Sequence, residues 1–544
     1  MVSNLLSNIE AIGFWVYWVI GLMSVLLLLW FLISRLRRSW SFLSSVLGSV
    51  ALTVRDNQDF RALFARCPKL FYFLTRRVSR QTFSGLPATF LGLAFLYFLG
   101  LYVESVLRLL DHGSLVQADS HISSLVLTVR SDGLTRFFTI VTGLGYWQAA
   151  ILVGLAATIL MWIWDRRHYI PTLWFTLVCN VISVWLLKLV FARARPDVAL
   201  YVESSYAFPS GHSATIATLS VFLTYVLVRE RIGQDLFWIL SCFTLVFLVG
   251  LSRVYLGEHF LSDVLNGYLV GTLWAITGIF LAERLGLRQT SSGMQVTGAG
   301  RWWATAGVIA VTTILLGFVL EDYSRTLRHN VPTCEAQLSV PIDKALREGI
   351  LPTRSESMIG TSQEPVSLIL YFPDDTTLLD AMAAAGWQHA DPPGVVTLSR
   401  AAIAAWLDRP YETAPITSVF LNGWPQDFGF QKALTSEGLR RRHYARFWRI
   451  RMQESSDLVV FVGTVSFDVG SKSGLTHRID PNVDAERDLL VADLLRNGGV
   501  QQDGRAKIVA QLLDQNVFGD QYYTGGRAVI LSILNATVGP RATE

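Results

Sequence analysis

Cysteine is scarce, with four in 544 residues. Cys67, Cys179, Cys242 and Cys334 lie far apart, two of them inside apolar runs, so no disulfide framework is implied. Charge is sparse as well. Asp, Glu, Lys and Arg make up 16% of the chain against 51% hydrophobic residues, and the mean hydropathy of +0.40 excludes an ordinary soluble protein. A net charge of +4 says little until it is placed along the chain. Internal repeats and low-complexity tracts are absent. The first long apolar run, residues 12–34, has no basic segment before it and no small-residue cleavage site after it. It therefore reads as a retained anchor and not as a signal peptide.

What remains is a succession of apolar runs long enough to cross a bilayer. Spans are expected at 86–109, 137–163, 170–191, 212–229, 236–255, 260–282 and 302–320, which with the anchor makes eight. A basic loop follows the anchor, from Arg35 to Arg80, and within it 40–54 reads as an interfacial or re-entrant piece. A nucleic-acid role for that basic run is disfavoured by the neighbouring span. Alternation of sides then puts Arg166 and Arg167, Arg229 and Arg231, and Arg284 and Arg288 in the cytoplasm with the basic loop. Gly143 and Gly145 read as small residues for close helix packing. The stretch 111–136, with His112 and His121, reads as a solvated loop in preference to an amphipathic helix.

Three polar islands interrupt the apolar runs. Lys188 is followed after six residues by Arg195-Pro196. Pro209-Ser210-Gly211-His212 forms the second. Ser252-Arg253, then His259, then Asp263 form the third. Ionisable groups at membrane depth are costly, which makes such a cluster a functional-site hypothesis. The alternative is a set of helix-end charges reaching for headgroups. The residue types suit phosphoryl transfer. Lys188, Arg195 and Arg253 can surround a phosphate, and Ser210 with the Gly211 amide can add donors. His259 can attack phosphorus with Asp263 on its other nitrogen, the spacing of four placing both on one helical face. His212 can protonate the leaving oxygen. No carboxylate cluster accompanies the islands to hold magnesium.

The constellation resembles the type 2 phosphatidate phosphatase superfamily, whose signature K-x6-RP, PSGH, SR-x5-H-x3-D is matched at every position over about 86–285. The resemblance implies His259 as nucleophile, Asp263 as its partner and His212 as general acid, with Lys188, Arg195, Ser210, Gly211 and Arg253 binding phosphate. It implies no cofactor and no metal. Soluble haloperoxidases share the islands, but the membrane spans disfavour them.

After Leu320 the composition turns polar. Residues 321–339 read as a linker. Beyond it, strands are expected at 367–372, 415–423, 446–452 and 457–470, and helices at 376–387, 398–407 and 484–497, the last capped by Asp484. This part resembles the LssY C-terminal domain, on RRHYARFWRI (441–450), GTVSFDVG (463–470) and HRIDPNVDAERD (477–488). His443, Arg446, Asp468, His477, Asp480, Asp484, Arg487 and Asp488 form its polar set, read as a hydrogen-bonded network in preference to a metal or anion site.

The expected molecule is thus an all-α polytopic membrane protein with a six-helix phosphatase core, plus a soluble C-terminal α+β domain. Residues 1–85 form the anchor and basic loop, 86–285 the phosphatase domain, 286–321 an extra transmembrane helix and 322–544 a periplasmic domain. It should hydrolyse a lipid phosphate or diphosphate through a phosphohistidine intermediate, without a metal, in the bacterial inner membrane. Phosphatidate, phosphatidylglycerophosphate and undecaprenyl diphosphate are the substrate types. A phosphotransferase using the same phosphohistidine and a non-catalytic transport or scaffold subunit are the alternatives. Expected partners are the bilayer and the lipid substrate, a periplasmic protein through the C-terminal domain, and no nucleic acid.

Overall fold

In a computed structural model the described residues are 83–111, 113–286, 298–326 and most of 337–534, with breaks at 339, 341, 407–410, 434–440, 453–457, 473–475 and 517–518. The anchor expected at 12–34 and His112 lie outside the described residues, and of 40–54 only isolated positions are described. The chain divides into two compact units. One is drawn from Val16–Asp111 and Ser131–Asn330, the other chiefly from His112–Arg130 and Val331–Glu544.

The first unit is helical. It contains α1 (Leu86–Leu110), and the chain then leaves through α2 (Ser114–Thr128), which is grouped with the other unit. It returns for α3 (Asp132–Gly143), α4 (Trp147–Ile163), α5 (Ile170–Phe191), α6 (Gly211–Arg229), α7 (Asp235–Tyr255), α8 (Leu261–Gly286) and α9 (Gly298–Thr326). Six of these helices are long and apolar enough to cross a membrane, and α3 with α4, bent by 49°, can make a seventh span. The span expected at 137–163 is therefore broken. The helix expected at 302–320 runs to Thr326, into the stretch read as linker.

Small residues bring the helices together. A Cβ on Gly267 of α8 would lie 2.6 Å from the Ser210 carbonyl oxygen, and one on Gly271 would lie 2.4 Å from that of Ala214. The Thr218 hydroxyl donates to the Gly271 carbonyl at 3.1 Å across the same contact. At one end of the bundle Arg166 pairs with Glu230 at 2.6 Å and Arg229 with Glu283 at 2.8 Å. The short basic loops of the sequence thus share one end.

The second unit is built on a sheet whose strands are β1 (Leu368–Phe372), β2 (Gln388–His389), β3 (Phe428–Ala433), β4 (Arg442–Met452), β5 (Val459–Lys472), β6 (Val500–Lys507) and β7 (Arg527–Ile533). Their order is β6-β7-β1-β5-β4-β3-β2. Only β7 and β1 pair in parallel along this path. Alternation along the strands feeds two apolar layers. Leu368, Leu370, Phe447 and Phe461 face one core with Leu378 and Leu490, whereas Ile369, Trp448, Val460 and Val462 face another with Ile342 and Leu346. The strand expected at 415–423 shrinks to Phe420–Leu421. The helix expected at 484–497 begins at Val483, capped by Asn482, whose Oδ1 accepts from the Ala485 amide at 3.1 Å. Asp484 instead accepts from Thr524 and Gly525.

The stretch read as a solvated loop is the helix α2, and it packs into this second unit. His121 is 2% exposed and stacks on Phe420 at 4.3 Å. Its Nε2 lies 3.3 Å from Glu356, and the Ser124 hydroxyl donates to the Gly423 carbonyl at 2.6 Å. The apolar pattern of α2 is weak, so nothing in its own sequence announces this docking.

Gly271→Ala is expected to push α6 and α8 apart and cost about 1–3 kcal/mol, the usual range for overpacking. Thermal unfolding of the detergent-solubilised protein against wild type measures it, and an unchanged midpoint would refute the close contact.

Candidate active site

The three islands converge because each sits at a helix end on the same side of the bundle. Lys188 lies in the last turn of α5 and Arg253 in the last turn of α7. Ser210 is the N-cap of α6, its hydroxyl accepting from the Ser213 hydroxyl at 3.0 Å, and Gly211 and His212 open that helix. His259 occupies the turn before α8, and Asp263 its first turn. Gly257 makes that turn with φ +71°, a left-handed conformation that suits glycine. Backbone bonds then lace the loops. The Ser210 amide donates to the Asp263 carbonyl at 3.0 Å, and the Leu200 amide to the Leu256 carbonyl at 3.0 Å.

The cations are brought together through shared acceptors. Lys188 Nζ and Arg195 Nη2 both reach the Ser205 hydroxyl, at 3.2 and 2.9 Å. Arg195 donates to the Glu258 carbonyl at 2.7 Å and to Glu203 at 3.1 Å. Arg253, 1% exposed, lies 3.5 Å from Glu203 and 3.7 Å from Glu258. Its Nη1 donates to the Thr142 hydroxyl at 3.0 Å, while its Nε and Nη2 are buried without a hydrogen-bond partner among the described residues.

The histidine pair departs from the expected helical-face arrangement. His259 precedes α8, and its Nδ1 stands 3.6 Å from Asp263, an ion contact longer than a hydrogen bond. The carboxylate of Asp263 is instead held by Arg193 at 2.7 Å and by the Phe260 amide at 2.9 Å. His212 is flanked by the ring of Tyr146, with centroids 6.1 Å apart, and its Nε2 is buried without a hydrogen-bond partner among the described residues. Burial first, and then the charges of Arg195, Arg253 and Lys188, push the His259 imidazole well below its usual pKa.

Sequence reasoning passed over Glu203, Glu258, Arg193, Thr142 and Tyr146. Charge balance was the available signal for the two glutamates, since three clustered cations in an apolar setting demand counter-charge. Arg193, two residues before Arg195, was visible only as an extra cation. Gly143 and Gly145 serve close packing as expected, for a Cβ on Gly145 would lie 3.0 Å from His212 Cβ.

The polar set of the C-terminal domain is not one site. His443 and Arg446 fall on opposite faces of β4, His443 pairing with Glu486 at 2.7 Å and Arg446 donating to the Thr417 carbonyl at 3.2 Å. Arg487 holds Asp484 at 2.9 Å and Asp488 at 3.0 Å. Asp480 turns to its own backbone, accepting from the Asn482 amide, and Asp468 approaches Arg442 at 3.9 Å. The side chain of His477 lies outside the described residues. No group of three or more His, Cys, Asp or Glu among the described residues is placed to hold a metal ion.

A polytopic bundle with cations and two imidazoles gathered at one end has the makings of a membrane-embedded phosphatase. The PAP2 superfamily model matches residues 168–285, and the LssY C-terminus model matches 349–528. Phosphatidylglycerophosphatase B of Bacillus subtilis (strain 168) is 33% identical over 190 residues, 33% of this chain and 88% of the relative. Lipid A 4'-phosphatase of Porphyromonas gingivalis is 32% identical over 108 residues, 18% of this chain and 43% of that protein. The crystal structure of a transmembrane PAP2 type phosphatidylglycerolphosphate phosphatase from Bacillus subtilis matches at 28% identity with a TM-score of 0.31, covering 37% of this chain and 96% of that one. The chain belongs to the PAP2 superfamily and carries an LssY C-terminal domain. It is a phosphatase, a hydrolase of that family.

Glu258→Ala should be costly, because it leaves Arg195 and Arg253 facing each other with one buried carboxylate fewer. Breaking a buried pair costs on the order of 3 kcal/mol. A matching fall in unfolding midpoint is the expected result, with Glu258→Gln milder because it keeps an acceptor for the Tyr201 amide.

Proposed function

We propose that this protein hydrolyses a lipid phosphate or diphosphate through a phosphohistidine on His259. The observation that carries the reading is the convergence of Lys188, Arg195, Arg253, His212 and His259 around one buried end of a membrane bundle. His259 Nδ1 faces Asp263, so Nε2 is the attacking atom. Its lone pair forms the P–N bond as the bond from phosphorus to the lipid oxygen breaks, and His212 gives that oxygen a proton. Water, losing its proton to His212, then breaks the P–N bond and releases inorganic phosphate. Lys188, Arg195 and Arg253, with Ser210 and the Gly211 amide at the α6 N-terminus, bind the phosphoryl oxygens and balance their growing charge.

The relatives are named for phosphatidylglycerophosphate, lipid A and undecaprenyl diphosphate, which supports a lipid carrying a phosphate or diphosphate. Counting the candidate spans supports the proposed membrane topology. From α2 the chain crosses once in the α3–α4 pair and once in each of the five helices after it, an even total. The parts that α2 packs with, after residue 331, must then lie on its own side, as their grouping in one unit requires. The islands after α5 and α7 fall on that same side. The basic loops at the other end favour the cytoplasm there, which supports a reading with the active-site side facing the periplasm from a bacterial inner membrane.

A panel of lipid phosphates assayed with purified protein tests the reading. His259→Ala should abolish turnover, and His212→Ala should reduce it by ~10²–10⁴-fold. Chelator should leave activity in place, and strict dependence on added magnesium would contradict the mechanism. The pH profile adds a second check. Protonation removes the attacking lone pair, so kcat/KM falls as pH drops through the pKa of His259. With that pKa depressed, the acid limb should lie below the ordinary imidazole value of 6.5. A limb at or above that value would contradict the assignment. Reporter fusions at Gly233 and Arg166 should score cytoplasmic, and fusions at Leu200 and Glu364 exported.

A further inference from the structure

Helix α9 lies beyond the region matched by the phosphatase family model, yet it reaches the site. Tyr323, near its C-terminal end, is 5% exposed, and its hydroxyl oxygen stands 3.5 Å from Arg253 Nη1. Its ring packs 4.7 Å from that of Tyr146 and 6.2 Å from that of His212. The helix is fixed at both ends. Near its start the Trp164 indole donates to the Thr305 hydroxyl at 3.0 Å, and Trp164 and Trp302 stack edge-on at 5.1 Å. Near its end it enters where the α3–α4 span is broken, because residue 143 is glycine. A Cβ there would lie 2.6 Å from Leu320 Cδ2 and 3.4 Å from Tyr323 Cδ1.

The break and the helix thus act on one guanidinium. Thr142 and Tyr323 both take Nη1 of Arg253. The remaining edge, Nε and Nη2, is the pair of parallel donors that binds two phosphate oxygens at once. Those two nitrogens are the ones buried without a hydrogen-bond partner among the described residues, Nη2 having only ion contacts, 3.5 Å from Glu203 and 3.7 Å from Glu258. An arginine has several rotatable bonds, so a buried fork keeps its aim only if a nitrogen off the binding edge is tied down.

We propose that Tyr323 is a positioning residue of the phosphate site, holding Arg253 by Nη1 so that its Nε–Nη2 edge meets the phosphoryl group, and that α9 is thereby part of the catalytic unit. The proposal rests on the phosphatase reading and adds a residue to it. A chain ending after Arg288 lacks this tether, whereas one ending after Asn330 keeps it.

The test uses full-length protein with Tyr323→Phe, which keeps the ring and its packing, and inorganic orthovanadate as the probe of the phosphate site. Losing a hydrogen bond to a charged group should raise the vanadate inhibition constant on the order of 10-fold or more, and lower kcat/KM similarly. The unfolding midpoint should stay at the wild-type value. Thr142→Val, which removes the other Nη1 acceptor, should act in the same direction. Because Tyr323 works through Arg253, adding Tyr323→Phe to Arg253→Lys should change little further. An unaltered inhibition constant in Tyr323→Phe, or effects that multiply in the double variant, would overturn the proposal. Wild-type protein that neither hydrolyses the lipid panel nor binds vanadate would instead overturn the phosphatase reading itself.

Discussion

The close approach of α6 and α8 is the contact on which the site depends. Gly267 and Gly271 let the backbone of α8 sit against Ser210 and Ala214, where any side chain would collide with a carbonyl oxygen. Inside a membrane there is no hydrophobic drive to bring helices together, so small residues and interhelical hydrogen bonds must do it. That contact places the N-terminus of α6, with Ser210, Gly211 and His212, beside the start of α8, with His259 and Asp263. The Ser210 amide bonded to the Asp263 carbonyl is the direct consequence.

Burying several cations at that junction would be prohibitive without partners. Glu258, fully buried, sits between Arg195 and Arg253 and also accepts from the Tyr201 amide, while Glu203, more exposed, touches both arginines from the rim. The carboxylates hold the arginines apart and in place. Under the proposed function they also set a condition on the ligand: a phosphoryl group entering between the arginines must offer them more than Glu203 does. Phosphate, with more negative charge and more acceptor oxygens than a carboxylate, meets that condition.

The C-terminal domain is more than a tethered appendage, for it holds a piece of the membrane half's own chain. Helix α2 leaves between two spans, buries His121 against Phe420 and ties Ser124 to Gly423. Both ends of α2 continue within a few residues into α1 and α3. The chain therefore passes between the two units at both ends of α2 as well as after α9.

Sequence by itself determined the apolar spans from Leu86 onward, the grouping of the short basic loops and the eight signature positions, because each is a local property of composition or spacing. It also located the principal strands β1, β4 and β5 and the helix after Asn482, whose periodicity is written in consecutive residues. Only the tertiary structure decided the break after Gly143, the docking of α2 and the arrival of Tyr323. None of these has a local signature: a glycine in an apolar run, a weakly amphipathic helix and a tyrosine at a helix end are ordinary in themselves. The same holds for Asp263, whose spacing from His259 suggested one helical face. Helix α8 starts between the two, and Arg193 from another loop takes the carboxylate. Spacing along the chain sets which groups are available, but the partner of a buried charge is whichever group the fold brings within reach.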